Sequence, residues 1–360
     1  MNVTCRDEIK SLQPYKPGKP IADVQREYGL SHVIKMASNE NPLGSSPKAI
    51  EALKSAIDKL AIYPDGNATM LKEAIAKKLN IKAEQVLPSN GSDEMVDMIS
   101  KAYVSHGDEV IMADITFPRY KATTIMMGGT PVVVPLKNWV HDLDAMLAAI
   151  TPKTKIIWLC NPNNPTGTMF TENELIAFLD KVPDHILVVY DEAYREFVTR
   201  EDYLHDSMKL LAKYENVLIM RTFAKMYGLA GIRVGYTMGH PDIITDINRI
   251  RCPFNVNELA QVAAIAALED TDFVKECYEV NVAGKLYLYE ALEAMGLTFE
   301  KSETNHIWID ATRNAQEVFI ELQKKGVIIR PFMDTWIRVS IGTMEENKTF
   351  IETFKALLAQ

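Results

Sequence analysis

The sequence has little of what marks secreted and membrane proteins. Its 360 residues include four cysteines, and none of them forms a CxxC pair. Free thiols in a reducing compartment are therefore expected rather than a disulfide framework. No stretch approaches the ~20 apolar residues of a membrane helix, and the opening MNVTCRDEIKSL lacks the apolar run of a signal peptide. We expect a cytoplasmic protein that does not enter a membrane.

An excess of positive charge is also missing. The net charge is -9, from 39 Lys and Arg against 48 Asp and Glu, which gives no general reason to expect nucleic-acid binding. The seven histidines show no ligand spacing such as HExxH, so no metal site is assigned. Hydrophobic residues at 47% and charged residues at 24% are ordinary for a folded protein, and the length suggests about two domains.

Short apolar runs alternate with amphipathic helical segments through the middle of the chain. The runs cover 109–113, 131–135, 155–160, 186–190 and 217–221. Their length fits strands buried on both faces. Helix starts are marked by Ser46 followed by Pro47, and by Thr171 with Glu174 as a capping box. This alternation predicts an α/β fold with a doubly wound, mostly parallel sheet.

The rhythm changes after about residue 255. Long helical patterns run through 256–294, and strand candidates follow at 306–309, 327–330 and 337–341. The first ~40 residues, with prolines 14, 17 and 20, are expected to be irregular and to cross between domains. We predict a large domain over 41–255 and a smaller α+β domain made of 1–40 plus 256–360.

Unusual polar residues follow three of the predicted strands. The segments 161–167 (NPNNPTG), 191–194 (DEAY) and 222–225 (TFAK) each begin where a strand ends, and ligands bind at the carboxyl ends of parallel strands. A lysine there can form an imine with an aldehyde cofactor. A carboxylate can hold a pyridine nitrogen protonated, which makes the ring an electron sink. This combination of groups is the one that pyridoxal 5'-phosphate (PLP) requires.

A phosphate site is predicted nearby. The segment 90–94 (NGSDE) follows a strand candidate at 85–88 and opens a helical pattern, and the N–H groups of such a helix start bind anions. Arg233 lies close in sequence to Lys225 and adds a guanidinium suited to phosphate. Taken alone, a Gly-Ser pair after a strand is as well explained by a simple turn.

The ordered motifs resemble those of the histidinol-phosphate aminotransferases, a branch of the fold-type-I PLP enzymes. The motifs are ASNENPLG (37–44), YPDG (63–66), NGSDE (90–94), NPNNPTGT (161–168), DEAY (191–194), TFAKMYGLAGIRVGY (222–236) and IRVSIGT (337–343). The resemblance covers nearly the whole chain. It implies amino transfer from L-histidinol phosphate to 2-oxoglutarate in histidine biosynthesis.

The resemblance also implies residue roles. Lys225 carries the cofactor and then moves the substrate proton, Asp191 pairs with the pyridine nitrogen, and Tyr194 joins them as a catalytic residue. Tyr194 and Asn164 contact the ring oxygen, and Phe117 stacks on the ring. Further cofactor contacts are implied for Gly91, Ser92, Asp93, Thr222, Arg233 and, from the partner subunit of a homodimer, Tyr63. Substrate contacts are implied for Tyr15, Asn39, Arg330 and Arg338.

The sequence departs from the family pattern at two positions, and alternative roles remain open for several of the residues named above. Ala224 stands where the family usually has a serine, which removes one hydrogen bond worth ~1 kcal/mol, and Phe117 replaces a common tyrosine. The short segment 331–337, which contains Trp336, borders the expected substrate pocket. Arg330 and Arg338 could instead form surface ion pairs, and Phe117 and Trp336 could be core residues.

Three other functions remain to be distinguished. An aminotransferase for phenylalanine or tyrosine, or one of dual specificity, would keep the fold and change the substrate. A PLP-dependent decarboxylase of phospho-amino acids would release CO2 without an acceptor. A sensor domain of a transcription regulator would carry an added DNA-binding module, which is not expected because the first motif begins at Ala37.

Overall fold

The computed structural model describes residues 3–14 and 18–359. The strands are β1 Ile34–Lys35, β2 Val86–Ser89, β3 Glu109–Ala113, β4 Thr130–Val134, β5 Thr154–Cys160, β6 Leu187–Asp191, β7 Val217–Thr222, β8 Gly235–Met238, β9 Phe299–Glu300, β10 His306–Asp310, β11 Val327–Ile328, β12 Arg330–Pro331 and β13 Trp336–Ser340. The helices are α1 Asp7–Lys10, α2 Ile21–Tyr28, α3 Pro47–Ala56, α4 Thr69–Leu79, α5 Gly91–Tyr103, α6 Arg119–Met126, α7 Leu143–Ala148, α8 Glu172–Leu179, α9 Met208–Lys213, α10 Pro241–Arg249, α11 Glu258–Leu268, α12 Thr271–Ala294, α13 Ala315–Lys324 and α14 Met344–Leu358.

A seven-stranded sheet forms the centre of the fold, in the order β2-β8-β7-β6-β5-β3-β4. Within it β8 runs antiparallel to both of its neighbours, and the other pairings are parallel. A four-stranded antiparallel sheet, β12-β13-β10-β9, and a parallel pair, β1-β11, lie in the smaller part. The predicted fold class is confirmed.

Both faces of the large sheet are covered by apolar side chains, as the uninterrupted runs predict. On β5, Ile157 and Leu159 pack into one cluster, whereas Ile156 and Trp158 pack into another on the opposite face. Successive side chains of a strand point to opposite faces, so a strand that is buried on both sides needs no polar alternation. A separate cluster fills the space between the small sheet and helices α12, α13 and α14.

The predicted helix starts are confirmed. Ser46 accepts a hydrogen bond from the N–H of Ala49 with Pro47 at the first helical position, and Thr171 and Glu174 form a reciprocal capping box on α8. The domain boundaries stay predictions. Helix α11 packs on α3 and α4 and buries its side chains in the core of the large sheet, which favours a boundary later than residue 255.

Two local expectations were wrong, and one strand was not foreseen. The first 40 residues are not wholly irregular, because α2 and β1 lie there. The single strand expected over 327–330 is two short ones: β11 pairs with β1 and β12 with β13, since the chain passes from one sheet to the other at the buried Ile329. Strand β8 was not foreseen, because Gly235–Met238 is only four residues long and follows a loop.

Candidate active site

A cavity of about 560 Å³ opens at the carboxyl ends of β5, β6 and β7. This volume lies within the range of ~300–1,000 Å³ that is typical of small-molecule sites. The predicted site residues that line it are Ser92, Asp93, Phe117, Asn164, Asp191, Tyr194, Thr222, Lys225 and Arg233. The structure therefore gathers most of the predicted cofactor contacts at one edge of the sheet.

Asp191 ends strand β6 and is 4% exposed. Its Oδ2 accepts a hydrogen bond from the Tyr120 hydroxyl at 2.5 Å, and its Oδ1 accepts one from the backbone N–H of Ala193 at 3.0 Å. Burial raises the pKa of Asp191 to about 6, although the hydrogen bond from Tyr120 opposes this rise. A buried carboxylate of this kind is best stabilised by a cationic partner in the cavity.

Lys225 lies in the loop after β7 and is half-buried. Its Nζ donates to the carbonyl of Ser38 at 3.2 Å and lies 5.8 Å from the centroid of the Tyr194 ring. Burial, together with the charge of Arg338, lowers the pKa of Lys225 to about 8. The neutral, nucleophilic amine is therefore accessible close to neutral pH.

Gly91 and Arg233 form a cradle at the start of α5. Gly91 has a φ of +76°, and a Cβ at this position would lie 2.6 Å from the Nη2 of Arg233. Only glycine therefore lets the guanidinium approach the helix start so closely. Free N–H groups of a first helical turn beside an arginine fit a phosphate group. Asp93 is exposed and accepts from Arg233 at 3.2 Å; its contact with a cofactor stays a prediction.

Two polar networks border the cavity on the side of the small sheet. Arg338 of β13 donates to Oδ1 of Asn164 and to the carbonyl of Ala37, both at 2.6 Å. The Tyr194 hydroxyl accepts from Nδ2 of Asn39 at 2.9 Å, and burial raises the pKa of Tyr194 to about 12, so that it keeps its proton. Asn39 is 1% exposed and lies behind Tyr194 rather than on the cavity wall, and its predicted substrate contact stays a prediction.

The remaining predicted residues lie elsewhere. Tyr63 is 78% exposed, stacks on Phe254 with ring centroids 4.6 Å apart, and does not line the cavity. Arg330 on β12 is half-buried and is the register partner of Arg338. Tyr15 lies outside the described residues.

Sequence reasoning did not assign several residues that border the cavity or act on it. Leu12, Gln13 and Arg119 line it, and Tyr120 touches Asp191 from behind. Tyr120 follows the predicted ring contact Phe117 by three residues, which was the available signal. The segment around residue 12 has no periodic pattern that could have placed it.

Within 3–14 and 18–359, no group of His, Cys, Asp and Glu side chains could hold a metal ion. None of the helices in these ranges is long and apolar enough to cross a membrane.

Replacing Asp191 by asparagine is expected to stabilise the ligand-free protein. Because burial raises the pKa from 3.8 to about 6, the folded state binds this proton more tightly than the unfolded chain does. Stability is then lost as pH rises between these values, by about 3 kcal/mol at pH 7.5 and about half of that at pH 5. Asparagine avoids this loss. Urea unfolding of the ligand-free proteins at both pH values measures the difference.

The exposed Asp184 supplies the control for this comparison. Asp184→Asn is expected to change the free energy of unfolding by less than about 0.5 kcal/mol at either pH. An Asp191→Asn protein that is no more stable than the wild type at pH 7.5 would contradict the assignment of a strained, ionised carboxylate.

Comparison with known proteins agrees with this site. The family model described as aminotransferase class I and II matches residues 31–354. A histidinol-phosphate aminotransferase of Moorella thermoacetica is 51% identical over 99% of this chain and 93% of its own length. One from Caldicellulosiruptor saccharolyticus is 45% identical over 98% of this chain and 99% of its own length.

Solved structures give the same result. The histidinol-phosphate aminotransferase of Sinorhizobium meliloti, in complex with pyridoxal-5'-phosphate, superposes with a TM-score of 0.91 over 99% of both chains, at 27% identity. An aspartate aminotransferase of Thermus thermophilus, at 22% identity and a TM-score of 0.86, covers 99% of this chain and 100% of its own and shares the fold. The chain therefore belongs to the class I and II aminotransferases and, within them, to the histidinol-phosphate aminotransferase family.

Proposed function

We propose that this protein is a cytoplasmic PLP-dependent aminotransferase that moves the amino group of L-histidinol phosphate to 2-oxoglutarate, giving imidazole-acetol phosphate and glutamate. The observation that carries the proposal is the placement of an amine, a buried carboxylate and an anion cradle around one cavity. The relatives named above, at 45% and 51% identity, support the choice of substrate.

The residues present fit PLP at three separate points. The cradle of Gly91 and Arg233 suits its phosphate, because a Cβ at Gly91 would close the space beside the guanidinium. Asp191 suits the protonated ring nitrogen, since a cation there offsets the burial of its charge. Lys225, with its pKa lowered to about 8, suits the aldehyde. When bound, PLP supplies the electron sink that stabilises the carbanion left after the substrate Cα loses its proton.

The chain contributes orientation and proton transfer. Lys225 is the amine that holds the cofactor and then, once released, the base that takes the Cα proton. Tyr194 and Asn164 would contact the ring oxygen of PLP through a hydroxyl and an amide. Phe117 would stack on the ring and, as an apolar side chain at the cavity wall, helps to exclude water.

The substrate's phosphate is expected to lie between two arginines. Arg330 and Arg338 are directly opposite each other on adjacent strands, so two guanidinium side chains extend from one face of the small sheet. Guanidinium groups bind phosphate through charge-assisted hydrogen bonds. The Arg338 contact with Asn164 connects this anion site to the cofactor site.

A homodimer is part of the proposal. Large apolar side chains are exposed over one segment and beside it: Ile57, Leu60, Ile62, Tyr63, Met70 and Phe254. Exposed apolar groups gathered in this way mark a protein interface. Tyr63 is held by Phe254 with its hydroxyl accessible to a second copy, as its predicted contact with the partner's cofactor requires.

Cofactor uptake is expected to follow the titration of Lys225. With a pKa of about 8, roughly a tenth of the amine is neutral at pH 7 and most of it at pH 9. The rate of PLP attachment to the ligand-free protein should therefore rise about tenfold between these values and then level off. Stopped-flow absorbance of the visible band measures it, and Lys225→Ala should give no such band. A rate that still rises tenfold per pH unit up to pH 10 would place the lysine at its ordinary pKa.

Substrate identity is tested by single-turnover spectroscopy of the PLP-loaded enzyme without a keto acid. Histidinol phosphate is expected to bleach the visible band fastest, with phenylalanine, tyrosine and threonine phosphate far slower. Arg330→Ala should slow the reaction of histidinol phosphate by roughly tenfold or more, through loss of a charge-assisted contact, and leave phenylalanine nearly unchanged. Comparable bleaching by the aromatic amino acids would move the assignment to an aromatic or dual-specificity enzyme. CO2 release without an acceptor would move it to a decarboxylase.

The exposed apolar segment yields a prediction for assembly. A charge at Leu60, which is 59% exposed, is expected to prevent the apolar faces from joining, so Leu60→Asp should sediment as a monomer while the wild type sediments as a dimer. Ile320→Asp on α13 introduces the same charge at an exposed aliphatic side chain outside this segment and should leave the dimer intact. A monomeric wild type would refute the proposed homodimer and leave the proposed reaction unaffected.

A further inference from the structure

Tyr120 is a fully buried phenol for which the proposed reaction has no stated use. It lies in the first turn of α6, and its hydroxyl donates to Oδ2 of Asp191 at 2.5 Å. Asp191 is the residue expected to hold the ring nitrogen of PLP. The contact therefore reaches the cofactor through a single intervening carboxylate.

The ring of Tyr120 is fixed from two sides. Trp158 of β5 stacks on it with centroids 4.4 Å apart and planes 8° from parallel, and Phe117 meets it edge to face at 5.5 Å. Tyr120 and Trp158 are both 0% exposed. A side chain packed in this way has one rotamer available, so the hydroxyl is aimed at Asp191 without further loss of entropy on reaction.

The acidic neighbour of Asp191 in sequence faces another way. Glu192 is fully buried, but its Oε2 accepts from Nε of Arg221 and from the hydroxyl of Ser207, each at 2.8 Å. Its charge is thus compensated by its own ion pair. It raises the pKa of Asp191 only as a lesser contribution, after burial.

The other titratable groups around Asp191 do not replace the phenol. Asp93 on α5 is exposed and pairs with Arg233, and burial raises the pKa of the Cys160 thiol, so that it stays neutral. Among the described residues, Tyr120 is the side chain that donates a hydrogen bond to Asp191. Burial and the nearby charge of Asp191 also raise the pKa of Tyr120 well above its usual value, which keeps it a donor over the whole working pH range.

We propose that Tyr120 is a positioning residue that keeps the proton shared by Asp191 and the PLP nitrogen on the nitrogen. This inference rests on the proposed function. A hydrogen bond donated to a carboxylate stabilises its charged form and makes it a weaker base. Without the phenol, the buried carboxyl competes better for the proton, and a neutral pyridine withdraws electrons less strongly. Tyr120 also contacts Phe117, so the residue expected to stack on the ring and the residue expected to pair with its nitrogen are held by the same side chain.

The test compares Tyr120→Phe with Tyr103→Phe. Tyr103 on α5 is half-buried and donates to Oδ2 of Asp246 at 3.4 Å, so its variant removes a phenol–carboxylate contact outside the site. Both proteins are loaded with PLP labelled with 15N at the ring nitrogen, and NMR reports whether that nitrogen is protonated. Tyr120→Phe is expected to move the signal toward the neutral form. It should also lower kcat about tenfold or more with little change in KM, as a group used mainly in the transition state does, whereas Tyr103→Phe should match the wild type.

A second variant covers the case in which Tyr120→Phe does not fold. 3-Fluorotyrosine incorporated at position 120 keeps the ring and strengthens the donor, and it should hold the nitrogen protonated to a higher pH than the wild type does. A protonated nitrogen and full kcat in Tyr120→Phe, or no change with fluorotyrosine, would overturn the inference and leave the proposed function standing. If wild-type protein binds no PLP, or its bound PLP nitrogen is neutral, the proposed role of Asp191 fails first.

Discussion

A negative charge held inside the protein is the constraint around which the site is arranged. Asp191 ends a strand that is buried on both faces, where its carboxylate is largely removed from water, and two hydrogen bonds offset only part of that loss. The site is thus prepared for a cation before any ligand arrives. Such preorganisation lowers the stability of the free protein, and binding of the ligand restores that stability. The same burial lowers the pKa of Lys225, so both groups are shifted toward their neutral forms. With pKa values of about 6 and about 8, the carboxyl is still ionised near neutral pH, while part of the amine is already neutral.

The small sheet is connected to this site by Arg338 rather than by apolar packing alone. Its guanidinium bridges Asn164, at the end of β5, and the carbonyl of Ala37, in the segment that enters the large part. The arginine proposed to bind the anionic substrate thereby contacts the amide proposed to lie beside the cofactor ring. Its planar fork can hold both contacts at fixed angles, which a lysine could not do. Replacing Arg338 or Asn164 would therefore change the orientation of the other side chain.

The sequence was sufficient to predict those strands and site residues that depend on local periodicity or on where a strand ends. The runs that became β3, β5, β6 and β7 were readable because strands buried on both faces need continuous apolar residues, and the polar groups that follow them had to meet at one edge. Strand β8 and the break at Ile329 were not readable, since each is decided by pairing with a distant strand. Tyr120 was missed for a related reason: its partner Asp191 lies 71 positions along the chain, and only the packing of α6 against the sheet brings the two together.

The pairing of β1 with β11 has a consequence for synthesis. Ile34 and Lys35 lie beside Val327 and Ile328, so nearly the whole chain must leave the ribosome before this pair can form. Pairings this distant in sequence are slow to close. The large sheet, whose strands all lie between Val86 and Met238, has its full set of strands much earlier. The small sheet, with the proposed substrate contacts Arg330 and Arg338, is then assembled last, so the proposed cofactor contacts on the large sheet are available to a nascent chain before the proposed substrate contacts.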